Sequence, residues 1–512
     1  MYIELGGLSV NYIQVKNLRS LYDTGEIEMK KMNVLVGNNS SGKSTFLRIF
    51  PLLKQSFNKR INGPVLWAGD EDDYVDFGSY QEALSNGSDE NAIRFKLCFD
   101  STSELTNAFP TDTGKMFITT SEENTVIIEF AISHNKETTY DYISEVILKY
   151  GDYHIVITYS DKYKILSLIV NDEEISVINE DMGSTEYSIG NEIFNLPLYA
   201  IKATARKNFS DILNINDEID FIIGYFYLTR IGNFHEEMNT KEAQQAEEIL
   251  RSVQERESEL KKWTFLYYLP RYYTDFSEYI IKYFSNVYYI APVRATAERY
   301  YRLRNAAVNE VDCRGKNLPV FLNSLKNEQF KRFQDWTHTN LGFEVEKSLS
   351  EGHVSLKIRK NGQDKAVNLS DTGFGYSQIL PIVTQLWYIT DARNKRQQFR
   401  ARTASEVIVP VTIAIEQPEL HLHPALQAKL MDVIAKIATE KNVRFIIETH
   451  SETIINRIGT LIDKGKFNNN DVEITIFDKQ FGEERTCVKK STFDEEGYLK
   501  DWPIGFFEPE ED

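Results

Sequence analysis

The stretch MNVLVGNNSSGKSTF, from Met32 to Phe46, decides the fold class of this chain. Met32 to Val36 form the apolar run of a buried strand in a parallel sheet, and a helical apolar pattern begins at Thr45. Between them, Gly37 to Ser44 fit the pattern G-x-x-x-x-G-K-S. Glycines at these positions let the backbone curl, so that successive N–H groups point at phosphate oxygens from a helix start. The stretch therefore predicts a phosphate-binding loop in an α/β fold.

The residue types of this loop indicate how a nucleotide would be held. Lys43 would reach the β- and γ-phosphates, and the hydroxyl of Ser44 would join a Mg²⁺ ion bound with them. The alternative is a surface turn that matches the pattern by chance, which the flanking strand and helix disfavour. The predicted nucleotide-binding residues of the loop are Asn38, Asn39, Ser40, Gly42, Lys43, Ser44 and Thr45.

Length and composition bound the class of protein. At 512 residues the chain exceeds the usual limit of one hydrophobic core, so we expect two or three structural units. No apolar run approaches the roughly 18 residues of a membrane span, and residues 1–10 have no basic and apolar leader. The three cysteines, Cys98, Cys313 and Cys487, lie far apart without zinc spacing. These features favour a cytoplasmic protein with reduced thiols and no membrane partner.

The charge balance bears on contact with nucleic acid. Lysine and arginine number 58 against 76 aspartates and glutamates, for a net charge of −18. This excess of acid argues against a surface that attracts DNA everywhere. The strongest basic patch, Arg393 to Arg402, is most simply a solvated face. Contact with nucleic acid through this patch, or through a partner, stays open.

The sequence pattern changes twice along the chain. Between Ile93 and Ile178, alternating apolar segments are separated by turn residues, which predicts an antiparallel sheet beside the nucleotide site. Asn239 and Glu242 form a capping box that opens a charged helix running to about Trp263, and buried strands restart at Asn286. We therefore divide the chain into a first lobe, 1–200, a helical insertion, 201–285, and a second lobe, 286–512.

Three further motifs follow the loop in order. NLSDTGFGYSQILPIV, residues 368–383, places small residues at the start of an apolar helix, which suits an anion. VIVPVTIAIEQPELHLHP, residues 407–424, is an apolar strand ending at Glu416 and Gln417, and a strand-tip carboxylate is where the Mg²⁺ of a nucleotide is held. VRFIIETHSETII, residues 443–455, is another buried strand, ending near His450. His421 and His423 alternate as metal ligands do, but no third ligand is evident and we favour loop packing.

This ordered set resembles an ABC-type ATPase head of the kind found in structural-maintenance-of-chromosomes, RecF and overcoming-lysogenization-defect proteins. The resemblance covers roughly residues 10–100 and 286–460, and it implies an α/β fold with a P-loop mixed sheet, an antiparallel β section and an inserted helical arm. It implies ATP and Mg²⁺ as cofactors. The implied roles are Walker A for Gly37 to Ser44, signature for Gly373, Gly375, Ser377 and Gln378, Walker B for Val411 to Gln417, and switch histidine for His450. Arg19 would contact a phosphate, and Gln81 would join Ser44 and Glu416 at the metal.

In this group the signature of one subunit closes over the nucleotide held by another, so the resemblance implies a head-to-head dimer, alone or as the unit of a higher oligomer, that ATP shifts toward closure. The chain departs from the pattern at Gln417, where ABC heads usually have a glutamate that positions the attacking water. An amide orients water but does not take its proton, so general-base catalysis from this position is lost. Glu419 is the alternative base. Otherwise turnover is very slow and ATP acts as a clamp.

A narrower resemblance concerns function. IEQPELHLHP, APVRATAERYY and DEEGYLKDWPIGFF are similar to segments of bacterial anti-phage defence ATPases, the Septu and retron-associated ATPases among them. This implies a sensor or scaffold that controls a separate effector, a nuclease, because residues 451–512 are too few for a nuclease domain and show no acidic metal cluster. The alternative is a DNA-repair or DNA-loading ATPase that acts on DNA directly. A transporter motor is disfavoured by the long insertion between the loop and the signature.

Overall fold

The computed structural model describes residues 8–88, 90–101, 109–111, 114–116, 125–178, 196, 198–213, 256–302, 310–350, 352–400, 409–479 and 482–502. Its helices are α1 (Lys43–Asn58), α2 (Tyr80–Ala83), α3 (Tyr199–Leu213), α4 (Glu257–Ser285), α5 (Leu318–Ser324), α6 (Asn327–Leu341), α7 (Phe374–Arg400), α8 (Pro424–Glu440) and α9 (Glu452–Asp463). Its strands are β1 (Leu8–Leu18), β2 (Leu21–Asp23), β3 (Ile27–Glu28), β4 (Met32–Gly37), β5 (Ala92–Ser101), β6 (Phe109–Thr111), β7 (Gly114–Met116), β8 (Thr125–His134), β9 (Asp141–Tyr150), β10 (Tyr153–Tyr159), β11 (Ile165–Val170), β12 (Glu173–Glu174), β13 (Val287–Ile290), β14 (Tyr301–Arg302), β15 (Phe343–Ser350), β16 (His353–Lys360), β17 (Val367–Asn368), β18 (Val411–Glu416), β19 (Val443–Glu448), β20 (Val472–Asp478), β21 (Cys487–Phe493) and β22 (Leu499–Lys500).

The phosphate loop follows the central strand of a seven-stranded mixed sheet. The strand order is β13-β18-β19-β4-β20-β21-β22. The strands from β13 to β20 run parallel, and β21 and β22 are antiparallel additions. Strands β4 and β18 are buried along their whole length, which is why their sequences are continuous apolar runs. The carboxyl ends of β4, β18 and β19 meet at one edge of the sheet, where ligands bind in open α/β sheets.

Two hydrophobic cores cover the faces of this sheet. Leu35 of β4 packs in the core that includes α1 and the antiparallel strands. Its neighbours Val34 and Val36 belong to the other core, which includes α7, α8 and α9. This division follows from the alternation of side chains along a strand. With both faces covered, the architecture is the α/β class that the sequence predicts.

A second, antiparallel sheet has the order β12-β11-β10-β9-β8-β5-β1-β2, with β3 also paired to β1. Strands β5 and β8 to β12 of this sheet confirm the antiparallel β section predicted between Ile93 and Ile178, and β6 and β7 pair separately. Strand β1 pairs with β5 from Leu8 opposite Ser101 to Lys16 opposite Arg94, so the section is attached to the first strand of the chain. A smaller sheet, β14-β16-β15 with β17, lies in the second half.

Helix α4 extends well past the helix end predicted near Trp263 and reaches Ser285. Its aromatic side chains pack on the antiparallel sheet. The ring centroids of Phe265 and Tyr153 lie 4.1 Å apart, and many other α4 side chains are buried in the same core. A buried face of this kind stabilises a helix beyond its local preference. The predicted helix start at Asn239 lies outside the described residues.

Helix α7 carries the predicted signature at its start and the predicted basic patch at its end. The side chains of residues 392–400 and all of residues 401–408 lie outside the described part, so the patch from Arg393 to Arg402 stays a prediction. Among the described helices, none is long and apolar enough to cross a membrane.

Candidate nucleotide site

Two glycines shape the loop between β4 and α1. Gly37 has φ 148°, and a Cβ there would lie 2.1 Å from the carbonyl oxygen of Phe477. Gly42 has φ 94°, and a Cβ there would lie 2.7 Å from the hydroxyl of Ser20. Only glycine fits such positions without displacing the chain. No side chain caps the start of α1, so its first N–H groups are available to phosphate oxygens.

A cavity of about 540 Å³ lies at this helix start. Its volume falls within the range of small-ligand sites, roughly 300–1,000 Å³. The predicted residues that line it are Arg19, Asn39, Ser40, Gly42, Lys43, Ser44, Thr45, Gln417 and His450. It is also lined by Ser20, Ser41, Arg48 and Glu448. The structure thus brings the loop, the tip of β18 and the switch region together in one place.

Lys43 is a buried cation at this cavity. Its ammonium donates to the carbonyl oxygens of Gly37 at 3.0 Å and Asn38 at 2.6 Å, and the residue is only 3% exposed. Burial lowers the pKa of Lys43, while the nearby Glu448 raises it. A phosphate beside the ammonium would favour its charged form and offset the burial.

Two glutamates lie at the carboxyl ends of neighbouring strands. Glu416 of β18 and Glu448 of β19 are register partners, and Glu448 is also the partner of Leu35 in β4. The Ser44 hydroxyl donates to Oε1 of Glu448 at 2.8 Å. Burial, together with the charge of Glu416, raises the pKa of Glu448 to about 7. A cation beside Glu448 would relieve this unfavourable environment.

The Glu416 carboxylate forms hydrogen bonds with Arg48 and Tyr289. Arg48 donates from Nε to Oε1 at 2.7 Å and from Nη2 to Oε2 at 2.8 Å. The Tyr289 hydroxyl donates to Oε1 at 2.7 Å, and Glu416 is 1% exposed. Both carboxylate oxygens are therefore satisfied inside the protein. Ser44, predicted to share a metal with Glu416, contacts Glu448 instead.

The oxygen atoms near Ser44 fit a Mg²⁺ ion, which prefers hydroxyl, carboxylate and water oxygens. Oε2 of Glu448 is buried and has no hydrogen-bond partner in the described part of the chain. The predicted metal residue Gln81 is exposed in α2 and does not line the cavity. His421 and His423 belong to no group of three or more potential metal ligands among the described residues. His423 instead caps α8 by accepting the N–H of Ala425.

Gln417 and His450 line the cavity, whereas Glu419 does not. Gln417 has φ 43°, an uncommon conformation for a residue with a side chain, and such conformations cluster at functional sites. Glu419 Oε1 accepts the backbone N–H of His450 at 2.7 Å. Burial raises the pKa of Glu419. The contact of this carboxyl is with the backbone at His450, and Glu419 is not part of the cavity lining. Burial and then the charge of Lys43 lower the pKa of His450, which favours the neutral imidazole.

The predicted signature lies outside this cavity, at the start of α7. Gly373 and Phe374 are at the surface, with Phe374 60% exposed. Ser377 is buried and its hydroxyl donates to the Phe374 carbonyl at 2.8 Å. Gln378 is also buried and its amide donates to the Arg294 carbonyl at 3.4 Å. These two side chains are therefore occupied within the chain, whereas Gly373 and Phe374 are exposed.

A family model described as AAA ATPase domain, AAA_15, matches residues 9–455, most of the chain. The chain belongs to this AAA ATPase family. The matched segment includes the phosphate loop, the tip of β18 and His450. The tungstate uptake system ATP-binding protein TupC of Campylobacter jejuni is 38% identical over 65 residues. That match covers 12% of this chain and 18% of the length of TupC.

Solved structures of Smc heads align with this AAA ATPase over most of its length, with low TM-scores and low sequence identity. The Smc head domain with an extended coiled coil bound to the C-terminal domain of ScpA, from Pyrococcus furiosus, matches with a TM-score of 0.32 and 12% identity, over 95% of this chain and 97% of the other. The SMC head domain from Thermotoga maritima matches with a TM-score of 0.30 and 10% identity, over 94% and 98%.

The site of this AAA ATPase includes residues that the motif patterns miss. Arg48 lies four residues after Ser44 on α1, so the two share a helix face, and this spacing is a signal that could have found it. Glu448 ends the apolar strand VRFIIE just as Glu416 ends VTIAIE, which is a second usable signal. Tyr289 is part of a buried strand, and nothing in its local sequence points to the site.

Proposed function

We propose that this ATPase is an ATP-operated switch that hydrolyses its nucleotide slowly. The observation that carries the proposal is the position of Gln417, which lines the cavity at the tip of β18 with an amide in place of a base. Glu419 is turned to the backbone of His450 and does not line the cavity. Losing a general base, worth about 10²–10⁴-fold, from a typical turnover of about 10 per second leaves about 0.001 to 0.1 turnovers per second, which is about six per minute at most.

In this mechanism the residues of the chain bind the nucleotide and orient water, and Gln417 does not act as a general base. The loop N–H groups and Lys43 hold the phosphates, with Arg19 on the same cavity wall. Ser44 and a carboxylate at the adjacent ends of β18 and β19 would hold Mg²⁺. A Mg²⁺ ion held there with ATP would neutralise charge on the phosphates. The Gln417 amide orients water without taking its proton.

We further propose that the switch is a head-to-head dimer. Nucleotide on one copy would contact the Gly373 and Phe374 surface of the other, so ATP would bind the closed state more tightly and shift the population toward it. The exposed ring of Phe374 supports this, because a large apolar side chain at the surface suits an interface. ATP would then act as a clamp on the assembled state.

The proposed effector is a separate nuclease chain in bacterial anti-phage defence. Support comes from the resemblance of IEQPELHLHP and its companion segments, and from the net charge of −18, which disfavours direct action on DNA. The test is to express the chain with the product of its neighbouring gene in a phage-sensitive bacterium and count plaques. We expect protection that needs both chains and disappears with Lys43→Ala. Protection by this chain alone, with salt-resistant binding of DNA by the purified chain, would contradict the proposal and favour a DNA-acting ATPase.

A further inference from the structure

The sheet places two acids at unequal distances from the phosphate loop. The order β18-β19-β4 puts the strand of Glu448 next to the strand that leads into the loop, while Glu416 lies one strand farther away. Neighbouring strands are about 4.8 Å apart, so the backbone of Glu448 lies about one strand spacing nearer to the loop than the backbone of Glu416. Register alone therefore favours Glu448 as the acid nearer to Ser44.

The contacts of Glu448 agree with that position. Its Oε1 accepts the Ser44 hydroxyl at 2.8 Å, and its side chain lines the cavity. Its Oε2 is buried without a hydrogen-bond partner in the part of the chain that the structure describes, and the residue is only 2% exposed. A buried carboxylate oxygen without a partner is costly, and a divalent cation at that place would supply the missing interaction. The Ser44 oxygen keeps its lone pairs for the same cation while its O–H points at Glu448.

Glu416 lacks these properties. Both of its oxygens accept hydrogen bonds from Arg48, at 2.7 and 2.8 Å, and Tyr289 adds a third hydrogen bond. Glu416 does not line the cavity. Because a guanidinium already neutralises this carboxylate, its charge is not available to a second cation unless the Arg48 pair breaks.

We propose that Glu448, together with Ser44, supplies the protein oxygens of the Mg²⁺ site, and that Glu416 is the anchor that holds Arg48 and Tyr289 in place. This inference rests on the proposed function, since the metal arrives with ATP. It reassigns the carboxylate ligand from the acid that the sequence predicts to its neighbour in register. It also explains why the chain keeps two buried acids at adjacent strand ends.

The test compares three variants of the full chain: Glu448→Gln, Glu416→Gln, and Glu473→Gln as a matched control. Glu473 is a buried acid on β20, 2% exposed, near the amino end of its strand and away from the loop. Mn²⁺ replaces Mg²⁺ and its binding to the complex with a non-hydrolysable ATP analogue is followed by electron paramagnetic resonance. Metal-free binding of the analogue is measured in parallel by calorimetry, so the readout does not depend on hydrolysis.

We expect Glu448→Gln to weaken Mn²⁺ binding by at least about tenfold, as for loss of a metal-site partner, and to leave metal-free binding of the analogue unchanged or tighter. Glu416→Gln and Glu473→Gln should stay within about threefold of the wild type. Glu448→Asp keeps the charge and should retain more Mn²⁺ affinity than Glu448→Gln, which separates loss of a ligand from misfolding. Loss of Mn²⁺ with Glu416→Gln but not Glu448→Gln, or equal losses with both, would overturn the inference alone. Failure of the wild type to bind the analogue at all would overturn the proposed function, and the inference with it.

Discussion

The backbone N–H of Gln417 donates to the carbonyl oxygen of Glu448 at 2.8 Å. This hydrogen bond extends the pairing of β18 and β19 one residue beyond Glu416, the last residue of β18. It holds Gln417 at φ 43° and places its side chain at the wall of the cavity that Lys43 also lines. The backbone of Gln417 is therefore held at the edge of the cavity in which the phosphates would bind.

Lys43→Ala should weaken ATP binding by roughly 10- to 150-fold, because hydrogen bonds to a charged group contribute about 1.5–3 kcal/mol. Calorimetry with ATP and Mg²⁺ checks this. Lys464→Ala is the control, since Lys464 is exposed at the end of α9 and far from the cavity lining. Equal affinity of the Lys43 variant and the wild type would contradict the assignment of the loop.

Arg48→Ala should destabilise the free protein by about 2–4 kcal/mol, because it leaves the buried Glu416 carboxylate without its guanidinium. This loss of unfolding free energy is smaller than that expected for a fully buried ion pair, because the Arg48 side chain is 32% exposed. Denaturant unfolding measures the change. Arg332→Ala is the matched control, since Arg332 makes the same two-bond contact with Asp391 but is 42% exposed.

The control should lose no more than about 1 kcal/mol, as is usual for exposed ion pairs. Equal losses of unfolding free energy for the two arginine variants would show that the Arg48–Glu416 pair stabilises the fold no more than the Arg332–Asp391 pair does.

Glu419→Gln should leave ATP turnover within about threefold of the wild type, because a glutamine keeps the acceptor for the His450 N–H. Steady-state phosphate release measures this. A large loss of turnover would instead identify Glu419 as the base.

The same variant tests the pKa of Glu419. Burial raises that pKa, so the folded state keeps the proton to higher pH than the unfolded chain. Wild-type stability should therefore fall as the pH rises from the ordinary glutamate value of about 4.3 through the raised pKa. Glu419→Gln lacks this loss, so the stability of the variant relative to the wild type should increase as the pH rises above about 4.3, until it passes the raised pKa of Glu419. A difference that does not change with pH would contradict the assigned environment.

Much of the fold follows from local sequence. The β4 run, the glycine loop and the β-rich section between Ile93 and Ile178 carry periodic patterns that need no tertiary information. The strand order does not follow from local sequence, because nothing in the sequence of β19 indicates that this strand lies beside β4. For that reason the sequence motifs predict that Ser44 and Glu416 share the metal, whereas in the structure Ser44 forms a hydrogen bond with Glu448. The length of α4 depends likewise on its packing against the antiparallel sheet.

Phe374→Glu should weaken ATP-dependent dimerisation at least about tenfold, because a charge would replace an apolar anchor at the proposed contact. Sedimentation with saturating ATP and Mg²⁺ gives the mass. Leu166→Glu is the control, since Leu166 is 65% exposed on β11 of the antiparallel sheet. A monomeric wild type under these conditions would contradict the dimer.

Single-turnover hydrolysis of ATP by the wild type and Gln417→Glu tests the central claim most directly. The account predicts firm ATP binding by both proteins, wild-type hydrolysis of about six turnovers per minute at most, and a faster rate for Gln417→Glu by up to about 10²–10⁴-fold. The variant should also shorten the lifetime of the ATP-bound assembly. Brisk hydrolysis by the wild type that Gln417→Glu does not accelerate would contradict it.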